Sequence, residues 1–528
     1  MDTRRLFRTS GVFLGAAVLL VAGCTSGGSD GDGGTAPSAS PGRGTDEALQ
    51  ALPTEVPEEL NRYYEQELRW RDCGVPGFQC ATLRAPLDYE EPDPEQDLEL
   101  EVVRKRAEEP GERIGSLMVN PGGPGSSAVE FVQMAAGISF PEEVRARYDI
   151  VGMDPRGVAG SEPVECLTDS EMDAYTQVDI TPDSQGEVRE LVSSNKEFAQ
   201  GCQERSGELL GHVSTVEAAR DMDVLREVLG DDKLDYVGFS YGTFLGATYA
   251  ALYPSRSGRL VLDGALDPSL SSEQINRDQT AGFETAFTAF AEDCTARSSC
   301  PLGTEGAADA ADRLIAFFEQ LDEEPVETGE ERPLNEALAT TGVINAMYAE
   351  GSWSLLRDGL TEAMDGDGST LLSMASDYYQ RDPDGSYSNI MYANAAINCL
   401  DQPAAFSGPD EAQEAVPSFE KASRVFGRGF AYASLSCSTW PVEATGEAAR
   451  TEAEDADPIL VIGTTRDPAT PYVWSQGLAE QLDTASLLTY EGDGHTAYLR
   501  GDACVDDAVN TYLLSGEPPE DGKRCSAS

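Results

Sequence analysis

A serine held between two glycines, in Gly238-Phe239-Ser240-Tyr241-Gly242, is a pattern from which a hydroxyl can attack an acyl carbon. The residues before it, Leu234 to Phe239, read as a strand, and those after it, Thr243 to Tyr253, carry the alanines, leucines and aromatics of a buried helix. A sharp strand-to-helix turn needs small neighbours, because the serine backbone is strained there and its hydroxyl must stand clear of the sheet edge. A serine hydroxyl is a poor nucleophile at neutral pH, so it requires a histidine base within hydrogen-bond reach and a carboxylate to orient that base. The chain has only two histidines. His212 precedes "STVEAARDMDVLREVLG", which reads as the helix leading into the serine strand, and is expected at a loop or helix start. His495, in "YEGDGHTAY", follows the last apolar run and suits a serine, acid, histidine chain order.

Three aspartates compete for the acid. Asp467 lies in "GTTRDPATP" after the run "PILVIG"; Asp263 follows "RLVL"; Asp493 stands two residues before His495, too close to orient the ring. Asp467 is the expected acid, because it puts acid and base on two successive strand ends facing Ser240. The oxyanion of the tetrahedral intermediate needs backbone donors. "NPGGPGSS", residues 120 to 127, has the glycines that let amides approach a ligand, and lacks the Gly-Lys-Ser/Thr ending of a phosphate loop. The expected donors are the amides of Gly123 and Tyr241.

These groups must be positioned by a scaffold. The runs "GSLMVN", "YDIVGM", "LDYVGF", "RLVLDG", "PILVIG" and "SLLTYEGDGH" are continuous apolar stretches with helical patterns between them, as in a parallel sheet buried on both faces. The expected class is α/β. Between "RLVLDG" and "PILVIG" the texture changes, with Leu314, Phe317, Phe318 and Leu321 at helical spacing. The expected organisation is a signal segment over 1–24, a flexible tether over 25–50, a first α/β part over 51–267, a helical cap over 268–395 and a second α/β part over 396–528.

Arg4, Arg5 and Arg8 precede an apolar run from Gly11 to Ala22 that is short for a membrane span, as in an export signal. Leu20-Val21-Ala22-Gly23-Cys24 resembles a bacterial lipobox, with Cys24 as the lipidated residue, and Thr3-Arg4-Arg5-Leu6-Phe7 resembles a twin-arginine signal. Against 37 basic residues stand 94 acidic ones, and the formal charge of −57 would repel nucleic acid and anionic lipid. Ten cysteines besides Cys24 point to disulfides in an exported chain. Short loops favour Cys73 with Cys80, Cys166 with Cys202, Cys294 with Cys300, Cys399 with Cys437 and Cys504 with Cys525, although sequence does not fix connectivity. No CxxC pair exists, so no metal site is expected.

The ordered set "NPGGPGSS", "YDIVGMDPRGVAGSEPVEC", "GFSYGT", "RLVLDGALDP", "AINCLD", "GTTRDPATP" and "GDGHTAY" resembles the secreted bacterial tripeptidyl aminopeptidases and prolyl-iminopeptidase-like serine peptidases of the α/β-hydrolase fold. The resemblance spans residues 70 to 525. It implies a cofactor-free serine exopeptidase that releases short peptides from free N-termini, with Ser240, Asp467 and His495 as triad, Gly123 and Tyr241 as oxyanion donors, and a helical cap closing one side of the cleft. Asp401, in "NCLD", is a candidate for the substrate ammonium. The same triad would serve a cell-surface esterase, and a peptide-binding lipoprotein without activity is a third possibility. Peptide or protein N-termini are the expected partners, with membrane contact only through an N-terminal lipid anchor.

Overall fold

The computed structural model describes residues 44–526. The expected signal segment and Cys24 lie outside the described residues. Of the expected tether, the described part is tied to the body of the protein. The Thr45 amide donates to the Ser269 carbonyl at 2.8 Å and the Leu49 amide to that of Arg450 at 2.9 Å. Leu49 and Leu52 pack against the main core, which is why this polar-looking stretch is held down.

Ten strands among the described residues form one sheet: β1 (Arg71–Asp72), β2 (Phe78–Ala85), β3 (Leu98–Lys105), β4 (Gly115–Asn120), β5 (Tyr148–Met153), β6 (Leu234–Phe239), β7 (Ser257–Asp263), β8 (Ile459–Arg466), β9 (Ala485–Asp493) and β10 (Lys523–Ser526). Their order is β1-β2-β3-β5-β4-β6-β7-β8-β9-β10. The pairs from β1 through β3 to β5 are antiparallel, and every pair from β5 and β4 onward is parallel. The six apolar runs of the sequence are β4 to β9.

The two faces follow from the period-2 geometry of a strand. Met118, Val151, Tyr236, Leu260, Leu262 and Val461 point to one side, where they pack with the helices Thr215–Leu229 and Tyr241–Leu252. Leu117, Val119, Ile150, Val237, Val261 and Leu460 point to the other, against Ala128–Ala135 and Ala503–Ser515. Every residue of β4 and β5 is buried. The helix entering β6 begins with a reciprocal Ser214 and Glu217 capping box and stops at Gly230, whose φ of 80° is left-handed. It therefore delivers the chain to the centre of the sheet with both ends satisfied.

Between β7 and β8 the chain is helical from Ser272 to Thr439. The helix Ser272–Thr295 contributes Phe283, Phe287 and Phe290 to a separate apolar core, which also holds Leu314, Phe317, Phe318, Leu321 and Trp353. The helix Ile390–Asp401 does not belong to it. Tyr392, Ala393, Ala396, Ile397 and Leu400 pack into the core of the sheet. The boundary expected at 395 thus falls inside one helix whose apolar face lies wholly on the α/β part. Beyond it the chain goes out again through Pro409–Ala422 and Gly427–Ala433 before re-entering at β8.

All five expected disulfide pairs are present. The bridge between Cys399 and Cys437 spans 38 residues and ties the helix Ile390–Asp401 to the end of the second excursion. Closing a loop of that length restricts the unfolded chain by about 4 kcal/mol in the chain-entropy account. The double variant Cys399→Ser, Cys437→Ser is expected to lose up to that much stability, read as a lower guanidinium midpoint. An unchanged midpoint would mean that the bridge constrains nothing.

Candidate functional site

Ser240 sits at the end of β6, immediately before the helix Tyr241–Leu252, with φ 55° and ψ −124°. This is a costly conformation for a residue with a side chain, and it persists only where the surroundings fix it. Its amide donates to the Asp263 carbonyl at 2.9 Å, and its carbonyl accepts from the Thr243 amide at 2.8 Å and hydroxyl at 2.6 Å. Gly238 is required by close approach, since a Cβ there would collide with the Gly242 carbonyl.

The loop after β8 carries Asp467 and the loop after β9 carries His495. Nδ1 of His495 lies 2.9 Å from each carboxylate oxygen of Asp467 and 3.3 Å from the Thr470 hydroxyl. Asp467 is buried, and its remaining lone pairs accept from the amides of Ala469, Thr470 and Thr496 at 2.9 to 3.1 Å. Burial presses the imidazole toward its neutral form, but the neighbouring Asp467 carboxylate outweighs burial and raises the His495 pKa above its ordinary value. This acid, base and orienting geometry can accept a proton from a hydroxyl and return it to a leaving group.

The helical insertion also touches His495. The His495 amide donates to the Tyr348 carbonyl at 2.8 Å, and the Tyr348 ring meets the imidazole edge to face, with centroids 5.5 Å apart. No sequence pattern marks Tyr348, because a carbonyl contact from a distant helix end leaves no local signal. Thr470, three positions after Asp467 in "GTTRDPATP", is a signal the sequence does carry.

Ser240, Gly123, Pro124, Tyr241, Thr470 and Tyr348 share the wall of a cavity of about 350 Å³. Gly122 and Gly123 have φ of 97° and 109°. A Cβ on Gly122 would collide with the Phe239 carbonyl and lie 3.1 Å from the Tyr241 amide, so the glycine loop is pressed directly against the serine turn. Among the described residues, no acceptor engages the amides of Gly123 or Tyr241. The other side of the loop rests on the helix Ile390–Asp401, where Asn394 donates to the Pro124 carbonyl at 3.2 Å.

The remaining sequence candidates fall as follows. Asp401 lines the same cavity, and its carboxylate accepts from the Thr215 amide at 2.7 Å and hydroxyl at 2.6 Å. Burial pushes its carboxyl up to about 7. Asp493 is paired with Arg466 rather than with the imidazole. Asp263 is fully buried beneath the His495 loop and takes the amides of Ala497 and Tyr498 instead of the ring. His212 lies 3.1 Å from Glu217, at the start of the helix that leads into β6.

The close approach at Gly122 gives a direct check. Gly122→Ala is expected to reduce the rate of Ser240 acylation about a hundredfold or more, the scale of losing one oxyanion donor, and to lower the melting temperature, because φ 97° and the Phe239 carbonyl both oppose a Cβ there. A variant acylated at the original rate would show that the glycine loop and the serine turn do not act together.

The family described as TAP-like protein matches residues 423–525. "Serine protease Hip1" of Mycobacterium tuberculosis is 37% identical over 488 residues, covering 87% of this chain and 91% of that protein. "Carboxylesterase B" of the same organism is 40% identical over 455 residues, covering 85% and 86%. "Tripeptidyl aminopeptidase" of Streptomyces lividans is 30% identical over 465 residues, covering 85% and 84%. With this extent of similarity on the fold and turn described above, the chain belongs to the TAP-like family of α/β-hydrolases, serine hydrolases among which these relatives stand.

Proposed function

We propose that this protein is a serine exopeptidase that releases short peptides from free N-termini, with Ser240 as nucleophile, His495 as base and Asp467 as the acid that orients it. The observation that carries this reading is the Asp467 and His495 pair, 2.9 Å at both carboxylate oxygens, beside a cavity that Ser240 lines. The Ser240 oxygen attacks the scissile carbonyl carbon while His495 takes its proton. The amides of Gly123 and Tyr241 receive the oxyanion. Collapse breaks the C–N bond, the imidazolium protonates the leaving amine, and an acyl group remains on Ser240. Water, deprotonated by the same imidazole, then cleaves that ester.

The charge of the cavity supports a peptide with a free amino end. Among the described residues, its charged lining groups are Asp267 and Asp401, and no lysine or arginine lines it. A substrate ammonium is favoured there and an anionic acyl group is opposed. Asp401 is the candidate partner for that ammonium. A volume of about 350 Å³ suits a short peptide, and the relative named tripeptidyl aminopeptidase supports three residues as the unit released. The N-terminal pattern ending in Cys24 supports export with a lipid anchor on the outer face of the membrane. No helix among the described residues is long and apolar enough to cross a membrane.

A second reading, an esterase on the same residues, is favoured by the relative named carboxylesterase. Hydrolysis of a free-amine tripeptide anilide, its N-acylated twin and a p-nitrophenyl ester separates the two. The exopeptidase is expected to prefer the free-amine peptide strongly, and Ser240→Ala is expected to lose all three activities. Cleavage of the ester alone would move the function to esterase, and turnover by Ser240→Ala would remove the nucleophile.

The pH dependence of KM tests the ammonium site. Because burial holds the Asp401 carboxyl near 7, it is neutral below that pH and cannot pair with a cation. A peptide α-amino group stays protonated up to about 7.7–8.0. KM for the free-amine peptide is therefore expected to fall as pH rises from 6 toward 7.5. Asp401→Asn is expected to raise it about tenfold or more, the scale of a charge-assisted hydrogen bond, and to abolish the pH dependence. A blocked ester should be unaffected, and equal KM effects on both substrates would contradict the assignment.

A further inference from the structure

We infer that Asp263 is a positioning residue that holds the nucleophile turn and the base loop in register, using its backbone carbonyl for one and its carboxylate for the other. The inference rests on the triad reading above. Asp263 ends β7, between the strand that leads to Ser240 and the strand that leads to Asp467. Its carbonyl accepts the Ser240 amide at 2.9 Å. Its carboxylate accepts the Ala497 amide at 2.9 Å and 3.1 Å and the Tyr498 amide at 2.8 Å.

Both clients of Asp263 are strained. Ser240 has φ 55°, and in the loop after His495 the β-branched Thr496 has φ 65° and Leu499 φ 68°. Such residues are held only when neighbouring contacts over-determine them. Three consecutive amides of that loop point at two buried carboxylates, Thr496 at Asp467 and the next two at Asp263. Gly264, directly after Asp263, is close enough that a Cβ there would lie 3.2 Å from the imidazole Cε1. The base is thus fixed from two sides by adjacent strand ends.

Asp263 also acts on the charge of the base. The charged groups that act on it are His495 and Asp467, and its field falls on His495. Burial raises its carboxyl to about 6, so it is ionised through the neutral range, where it favours the imidazolium. The other groups facing His495 are Asp467 from the β8 loop, Arg500 from its own loop and Tyr348 from the insertion, while Asp493 is occupied by Arg466. Removing one negative charge from this set lowers the pH at which the imidazole loses its proton. Asparagine would moreover keep one acceptor and place an NH₂ group where the other oxygen now faces the Ala497 amide.

The test is the rate of Ser240 labelling by a fluorophosphonate across pH 5 to 9, in the purified full chain and in Asp263→Asn and Asp263→Glu. Labelling requires the nucleophile and base but no peptide recognition. In Asp263→Asn the acid limb is expected to move to lower pH and the plateau rate to fall about a hundredfold, the scale of a 1 Å misplacement of a reacting group. In Asp263→Glu, which keeps the charge and displaces the loop, the plateau is expected to fall with the acid limb unmoved. A folded Asp263→Asn with the original limb and plateau would overturn the inference. Should Asp263→Asn not fold, Asp263→Glu decides: an unchanged plateau, or a limb displaced to lower pH, would overturn it. Failure of the unaltered protein to label at Ser240 would instead remove the triad reading and this inference with it.

Discussion

The left-handed backbone of Ser240 is the constraint on which the site depends. A residue with a Cβ adopts φ 55° only if its surroundings leave no alternative. Here β6 ends against the glycine loop after β4, and the turn is pinned by the carbonyl at the end of β7. Those three strands are neighbours only because the parallel order runs β4-β6-β7-β8. The order requires strands buried on both faces, which the unbroken apolar runs supply. The same order puts the Asp467 loop on the next strand and the His495 loop on the one after. The chemistry proposed at Ser240 is therefore a consequence of sheet topology, and the polar groups at the strand ends convert that topology into fixed distances.

The helical insertion has its own apolar core, yet it reaches the site at two points with different chemistry. At one, the Tyr348 carbonyl accepts the His495 amide, so the base loop is closed partly by the insertion. At the other, the helix Ile390–Asp401 brings Asn394 to the glycine loop and Asp401 to the cavity wall. That helix packs on the sheet core and is bridged by Cys399 to Cys437. The wall that carries the candidate ammonium partner is thus anchored to the same body as Ser240. A recognition group needs this fixed relation if it is to set how far the scissile bond lies from the amino end.

Much of this could be read in the sequence, for identifiable reasons. The six central strands appear as apolar runs because burial on both faces removes the polar alternation. The roles proposed for Ser240, Asp467 and His495 follow from chain order because each lies at the end of one of those runs. The disulfide pairs follow from short separations. The contribution of Tyr348 was not legible, since a backbone carbonyl is the same in every residue and the contact joins distant segments. The return of the helix Ile390–Asp401 to the sheet core was also hidden, because its helical spacing is no different from that of the cap helices around it. For residues 44–50 composition suggested a free tether, and the leucines that follow the glycine-rich stretch hold it down. Asp263 was visible only as a rival acid, because its role lies in backbone amides that sequence does not display.

The most direct test of the central claim is a crystal structure of the protein after reaction with a peptidyl phosphonate, a tetrahedral mimic of the acyl-transfer intermediate. The account predicts phosphorus bonded to the Ser240 oxygen, the phosphoryl oxygen about 3 Å from the amides of Gly123 and Tyr241, and the His495 ring facing the leaving-group side. It also predicts the free amino end directed toward Asp401. Phosphorus on another residue, or a phosphoryl oxygen turned away from those two amides, would contradict it.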